Sequence, residues 1–171
     1  YISLELMSFC FYILVSYSTS DAKSNEAGIK YVLIGAFSSA ILLFGVSMIY
    51  GSIGVTSFSD INSALSDSSN LDPTLWVGLA LIVVGIGFKL AIVPFHMWAP
   101  DVYEGAPLPI TAYLSVGSKA AVFALVLRFF AEALMPVIDV WQIVIAVLAT
   151  LTMTIGNLVA IAQHNIKRLL A

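Results

Sequence analysis

Charge is what this sequence has least of. Only 10% of its 171 residues are Asp, Glu, Lys or Arg and 60% are apolar, against about 25% and roughly 45–50% in ordinary soluble domains. That ratio excludes a water-soluble globular fold. Basic residues are scarce: seven Lys plus Arg and a net charge of −3 leave no basic surface for nucleic acid. The single cysteine, Cys10, excludes an intrachain disulfide and a multi-cysteine metal site, and we read it as a small buried apolar residue. Two histidines, His96 and His164, stand on separate segments and make no case for haem, so no redox centre is expected. No phosphate-binding glycine loop, nucleophile elbow or zinc-ligand spacing occurs, and neither cofactor nor metal is expected in this chain.

What the sequence has instead is long apolar runs. They fall in about five blocks, residues 4–17, 28–50, 75–98, 109–130 and 140–162, where a helix crossing the bilayer core needs about 20 residues. We expect an all-α polytopic membrane protein, residues 1–171 forming one transmembrane unit. The first block lacks the basic start and cleavage pattern of a signal peptide and reads as a span entered part-way, so the chain is expected to be a fragment of a longer one.

Polar stretches separate the blocks. In 18–27, Ser24 is placed to cap the following helix. The connection 52–73 carries Asp60, Asp67 and Asp72 but no basic residue. Within it Ser57 and Asp60 have capping-box spacing, and Phe58, Ile61 and Leu65 recur at helical intervals, which predicts a short helix lying on the membrane surface. Residues 99–108 read as a turn, with Asp101 and Glu104 tying it down. Alternating crossings place Lys23, Lys167 and Arg168 on one side and only Arg128 on the other, so the first side is expected to face the cytoplasm or its equivalent.

Three ionisable residues stand where a span should have none: Glu5, Lys89 and Lys119. Such a group near mid-membrane costs about 2.5–3.5 kcal/mol and marks an ion or proton path unless it is a static ion pair. Lys89 lies about 21 Å along a helix counted from Leu75, too deep to snorkel easily. Pro94 removes the hydrogen bond to the Leu90 carbonyl and should break the helix just beyond the lysine. A broken helix beside a buried charge is a recurring design of ion-transport sites. Burial favours the neutral forms of a lysine and a glutamate, whereas pairing favours the ions. A Glu5–Lys89 contact would therefore hold a proton while closed and release it on opening, towards Lys119. Lys30, a few residues into its span, reads equally as a relay member or a snorkelling cation. His96 lies past the Pro94 break and reads as a structural histidine or an extension of the path; His164 falls in a loop.

The run from Gly87 to Pro107, with Pro94-Phe95-His96-Met97-Trp98-Ala99-Pro100-Asp101-Val102-Tyr103 at its centre, resembles the subunit N family of NADH:quinone oxidoreductases, the respiratory complex I, including the chloroplast and cyanobacterial homologues. Leu4–Ser8, Ser24–Tyr31, Gly156–Leu158 and Asn165–Ala171 extend the likeness over essentially the whole chain. The resemblance implies a piece of an antiporter-like bundle with a Pro-broken transmembrane helix, covering the fifth to ninth of about fourteen helices. It places the family's fifth-helix glutamate on Glu5, its seventh-helix lysine on Lys89, its eighth-helix lysine on Lys119 and a sixth-helix lysine on Lys30. The twelfth-helix lysine has no counterpart here, so this piece alone should not pump. The implied function is proton translocation as a non-redox subunit, partnered by the lipid bilayer and other membrane-arm subunits, with NADH and quinone handled elsewhere. The implied location is a bacterial plasma membrane, with thylakoid or mitochondrial inner membrane as alternatives. A structural scaffold subunit and a related cation/proton antiporter are the competing readings.

Overall fold

The computed structural model describes residues 1–67 and 72–171; the remainder of the 52–73 connection lies outside the described residues. The described residues form helices and turns, without strands. Helix α1 spans Ile2–Val15, α2 Ala22–Ile53, α3 Phe58–Asp67, α4 Pro73–Leu90 and α5 Ala99–Gly105. Helix α6 runs Leu108–Ala133, α7 Ile138–Ile161 and α8 Ile166–Leu169. Among the described residues α2, α4, α6 and the segment Met135–Ile161 are long and apolar enough to cross a membrane.

Local chemistry sets the ends. Asp21, and not Ser24, caps α2 by accepting from the Lys23 N–H at 3.0 Å. Ser24 is buried, and its hydroxyl donates to the Val15 carbonyl at 2.8 Å, tying α2 to the end of α1. Helix α2 therefore starts earlier than its apolar block, because a polar first turn is compatible with helix once capped. It stops at Gly54, whose φ of 79° only glycine adopts freely and whose N–H returns to the Tyr50 carbonyl. Asp72 caps α4 through Thr74, with Pro73 in the first turn.

The expected span 75–98 is not one helix. Helix α4 ends at Leu90, Ala91 turns left-handed (φ 58°), and residues 92–98 cross as non-helical backbone. Two of the freed groups find partners: the Trp98 indole donates to the Phe88 carbonyl at 3.0 Å, and the Val93 N–H donates to Thr152 Oγ1 of α7 at 3.1 Å. Residues 99–105, expected as a turn, form α5.

Helices α2 and α4 cross in close contact. A Cβ on Gly45 would lie 2.8 Å from the Gly78 carbonyl oxygen, and one on Gly85 2.6 Å from Leu42 Cβ, so the glycines let the backbones touch. Ser38 Oγ bridges the same pair by donating to the Gly85 carbonyl at 3.2 Å. Helix α3 lays Ile61 and Leu65 against the lower end of α6, with Phe58 tilted on Phe129 and Asn62 Nδ2 donating to the Glu132 carbonyl. Its Ser57 hydroxyl pairs with Ser59 and not with a helix N–H.

Cys10 corrects an expectation. The buried stripe of α1 is Ser8, Phe11, Tyr12 and Val15, at helical spacing, and Cys10 lies on the opposite, exposed face. Helix α7 buries none of its residues and presents Ile143, Val147 and Leu158 outward. Apolar surface of this kind is stable only against lipid or further helices.

Candidate functional site

The structure brings Glu5 and Lys89 together. Glu5, on the first turns of α1, and Lys89, on the last turn of α4, meet with Lys89 Nζ 3.1 Å from Glu5 Oε1, their side chains only 12% and 10% exposed. The Lys89 ammonium also donates to Ser8 Oγ at 3.0 Å, one turn along α1 from Glu5. Glu5 Oε1 accepts no aligned hydrogen bond. The contact with Lys89 is thus one of charge, while the directed bond goes to Ser8. Sequence reasoning missed Ser8, although its i, i+3 spacing from Glu5 puts both on one helix face and was the available signal.

A cavity of about 30 Å³ opens beside this pair, walled by Ser8, Tyr12, Ser38, Lys89 and Ser118 together with aromatic side chains. Ser118 ends a π-helical stretch, Leu114–Ser118, within α6, and Lys119 follows it directly. Such single π turns recur at functional sites. Lys119 does not touch Lys89; its ammonium rests over the ring of buried Tyr103, 5.6 Å from the centroid.

Lys30 belongs elsewhere. It bridges Glu26 and Asp101, each at 2.8 Å. Asp101 also meets Arg168 at 3.0 Å, and Glu104 meets both Arg168 (2.8 Å) and Lys23 (3.0 Å). Lys167 Nζ donates to the carbonyls of Glu104 and Ala106, closing the end of α5. The three loops expected on one side of the membrane are therefore gathered at one end, where Asp101 and Glu104 do tie down the segment. His96 is partly buried, its Nδ1 without a hydrogen-bond partner among the described residues, and His164 is exposed.

This ionic end connects physically to Lys89. Trp98, the residue preceding α5, stacks on Tyr31 of α2 (4.9 Å) and on Phe88 (6.0 Å) while donating to the Phe88 carbonyl. The position of α5 thereby sets the last turn of α4, which carries the lysine.

A pH effect follows at the ionic end. Hydrogen bonding to Lys30 holds the Asp101 carboxyl below its ordinary 3.8, and that to Arg168 holds Glu104 below 4.5. Depressed folded values mean that the stabilisation is full above the unfolded values and is lost as pH falls through the folded ones. Amide protection across residues 99–105 in detergent, relative to the intrinsic exchange rate at each pH, should accordingly fall below about pH 4, more than in α2. Both carboxylates are partly solvated, so a local loosening is expected and not global unfolding. Uniform protection down to pH 2.5 would refute it.

The fold and site define a class: a polytopic helical membrane protein with a helix broken beside a buried lysine–glutamate pair. The whole chain, residues 1–171, matches the family described as NADH:quinone oxidoreductase/Mrp antiporter, transmembrane. The chain belongs to that family. It is 52% identical over 171 residues to NADH-quinone oxidoreductase subunit N of Desulforamulus reducens, covering 100% of this chain and 36% of that protein. It is 52% identical over 172 residues to NAD(P)H-quinone oxidoreductase subunit 2 of Thermosynechococcus vestitus, 100% and 33% covered. Among solved structures, respiratory complex I from Thermus thermophilus with bound aureothin superposes with a TM-score of 0.80 at 35% identity, covering 99% of this chain and 35% of that one. The membrane-bound sulfane sulfur reductase, an archaeal respiratory membrane complex, gives 0.77 at 31% identity, 98% and 34% covered. The chain thus spans about a third of the length of the relatives it matches.

Proposed function

We propose that residues 1–171 are one transmembrane unit of a proton-translocating membrane subunit of an NADH:quinone oxidoreductase, acting as a non-redox translocase part without a cofactor of its own. Other membrane-arm subunits and the bilayer are its partners, and NADH and quinone react elsewhere. The observation that carries this reading is the Lys89 ammonium shared between Glu5 at 3.1 Å and Ser8 at 3.0 Å, beside the end of a broken helix. While the pair is closed, the carboxylate neutralises the ammonium. When energy delivered from the rest of the complex separates them, a lone ammonium in apolar surroundings is costly and yields its proton. Lys119 is the next acceptor, through the cavity beside Ser118. Lys30, in the ionic end, supplies a route in or only a tether.

In the intact complex reconstituted in proteoliposomes, Glu5→Gln and Lys89→Ala are expected to lower the proton-to-electron ratio with assembly preserved. An unchanged ratio in both would defeat the proposal. The outward apolar face of α7 favours a second role as scaffold for neighbouring helices. If scaffolding were the whole function, the same variants would disturb assembly on native gels before they altered coupling.

A further inference from the structure

Lys89 and Lys119 are held by unlike partners. Lys89 faces a carboxylate at 3.1 Å. Lys119 makes no hydrogen bond and no ion pair among the described residues; what its ammonium meets is the ring of Tyr103, 5.6 Å from the centroid. That lies inside the roughly 6 Å over which the negative face of an aromatic ring attracts a cation, an attraction that grows as water is excluded.

The fold holds that ring firmly. Tyr103 is 1% exposed and packs among Trp98, Val102 and Leu114. Its phenol oxygen has no hydrogen-bond partner among the described residues, so what the side chain offers its neighbour is the ring and not the hydroxyl. The backbone around it is fastened as well: the Thr111 hydroxyl donates to the Tyr103 carbonyl at 3.1 Å, and Lys167 Nζ donates to the carbonyls of Glu104 (3.2 Å) and Ala106 (2.8 Å). Glu104, the next residue of α5, is paired with Arg168 and Lys23. A ring face and a carboxylate also act differently on an ammonium. The carboxylate neutralises it and can take its proton, whereas the ring attracts the charge without a basic lone pair to receive the proton.

From this geometry we propose that Tyr103 is a positioning residue for Lys119: its ring face holds the ammonium in place, and α5 ties that hold to the ionic cluster of Asp101 and Glu104. The proposal rests on the reading of Lys119 as a relay member and adds the group that places it. Helix α5 thereby reaches both buried lysines, Lys89 through Trp98 stacked on Phe88 and Lys119 through Tyr103. A shift of α5 moves the two together.

The test uses the intact complex in proteoliposomes and compares Tyr103→Leu, Tyr103→Phe and replacement at position 103 by phenylalanines carrying one, two and three ring fluorines. Fluorine draws charge off the ring face while scarcely changing its size, so the series weakens the hold on a cation and leaves the packing alone. Tyr103→Leu is expected to lower the proton-pumping rate by about threefold to tenfold. Tyr103→Phe should restore most of it, and each added fluorine should take the rate back down towards that of leucine. A fluorine series level with Tyr103→Phe would show that the ring only fills space and would overturn the proposal. A Tyr103→Phe rate as low as that of leucine would overturn it too, because the hydroxyl would then be the working group, and so would a normal rate in Tyr103→Leu. Should Tyr103→Leu fail to assemble on native gels, the fluorine series decides alone. Lys119→Met separates the two levels: if it leaves pumping unchanged the relay reading fails, and if it lowers pumping while the fluorine series stays level, only the role of Tyr103 fails.

Discussion

Replacing Glu5 by leucine alone is expected to destabilise the helical bundle by about 3–5 kcal/mol, whereas Glu5→Leu combined with Lys89→Met is expected to cost much less and to approach neutrality. The asymmetry comes from desolvation. Both side chains lie almost wholly out of contact with solvent, so each ion has lost most of its hydration and keeps only its partner. Removing the carboxylate leaves an ammonium with Ser8 as its directed acceptor and nothing to balance its charge. Removing both leaves an apolar contact of similar volume. Unfolding of the full-length subunit in mixed micelles, run as a double-mutant cycle, reads the coupling directly. Additive losses would show that the two charges do not depend on each other, and the switch would lose its physical basis. Glu5→Gln is milder because the amide keeps the size of the carboxylate and a polar oxygen beside the ammonium, which is why it, and not leucine, suits the pumping assay.

The charges and the helix break were legible because each violates a strong rule. A lysine deep in an apolar run and a proline just after it are costly wherever they occur, so their presence pointed to a partner and a discontinuity, and Glu5 and the end of α4 at Leu90 supplied both. Lys30 was ambiguous in sequence because its depth could not be fixed. Only the placement of α5 against α2 shows that Asp101 reaches it. Helix α5 was read as a turn since Pro100 and Gly105 are turn-formers, yet Pro100 sits in the first turn, where its missing N–H costs nothing, and Gly105 closes the end. The face of Cys10 was misjudged for another reason. In an all-apolar helix the pattern of hydrophobicity does not mark the buried side: α1 buries Ser8, Phe11, Tyr12 and Val15 and leaves Ser3, Phe9 and Cys10 exposed. The cavity was beyond reach from sequence, because it depends on serines from three helices whose register only the packing fixes.

That packing rests on the glycines between α2 and α4, and it yields the sharpest structural contrast in the molecule. A methyl group added at Gly45 would meet the Gly78 carbonyl oxygen at 2.8 Å and the Ile82 nitrogen at 2.9 Å, both backbone atoms that no rotamer change can move. Gly45→Ala must therefore push the two helices apart, at a cost of about 1–3 kcal/mol for overpacking, and Gly45→Val should exceed that. The displacement would reach function as well as stability, because the Ser38–Gly85 bridge crosses the same interface one turn from Lys89. Gly51 lies on the same helix, with nothing within 4 Å of its added methyl. There alanine should be neutral or stabilising by about 0.5–1 kcal/mol, since it only removes backbone freedom from the unfolded chain. Measured side by side in the full-length subunit, the two substitutions are chemically identical and differ only in what the new carbon touches. Equal effects would mean that α2 and α4 do not cross at Gly45, and with that crossing would go the alignment that sets Ser38, Lys89 and Ser118 around one cavity.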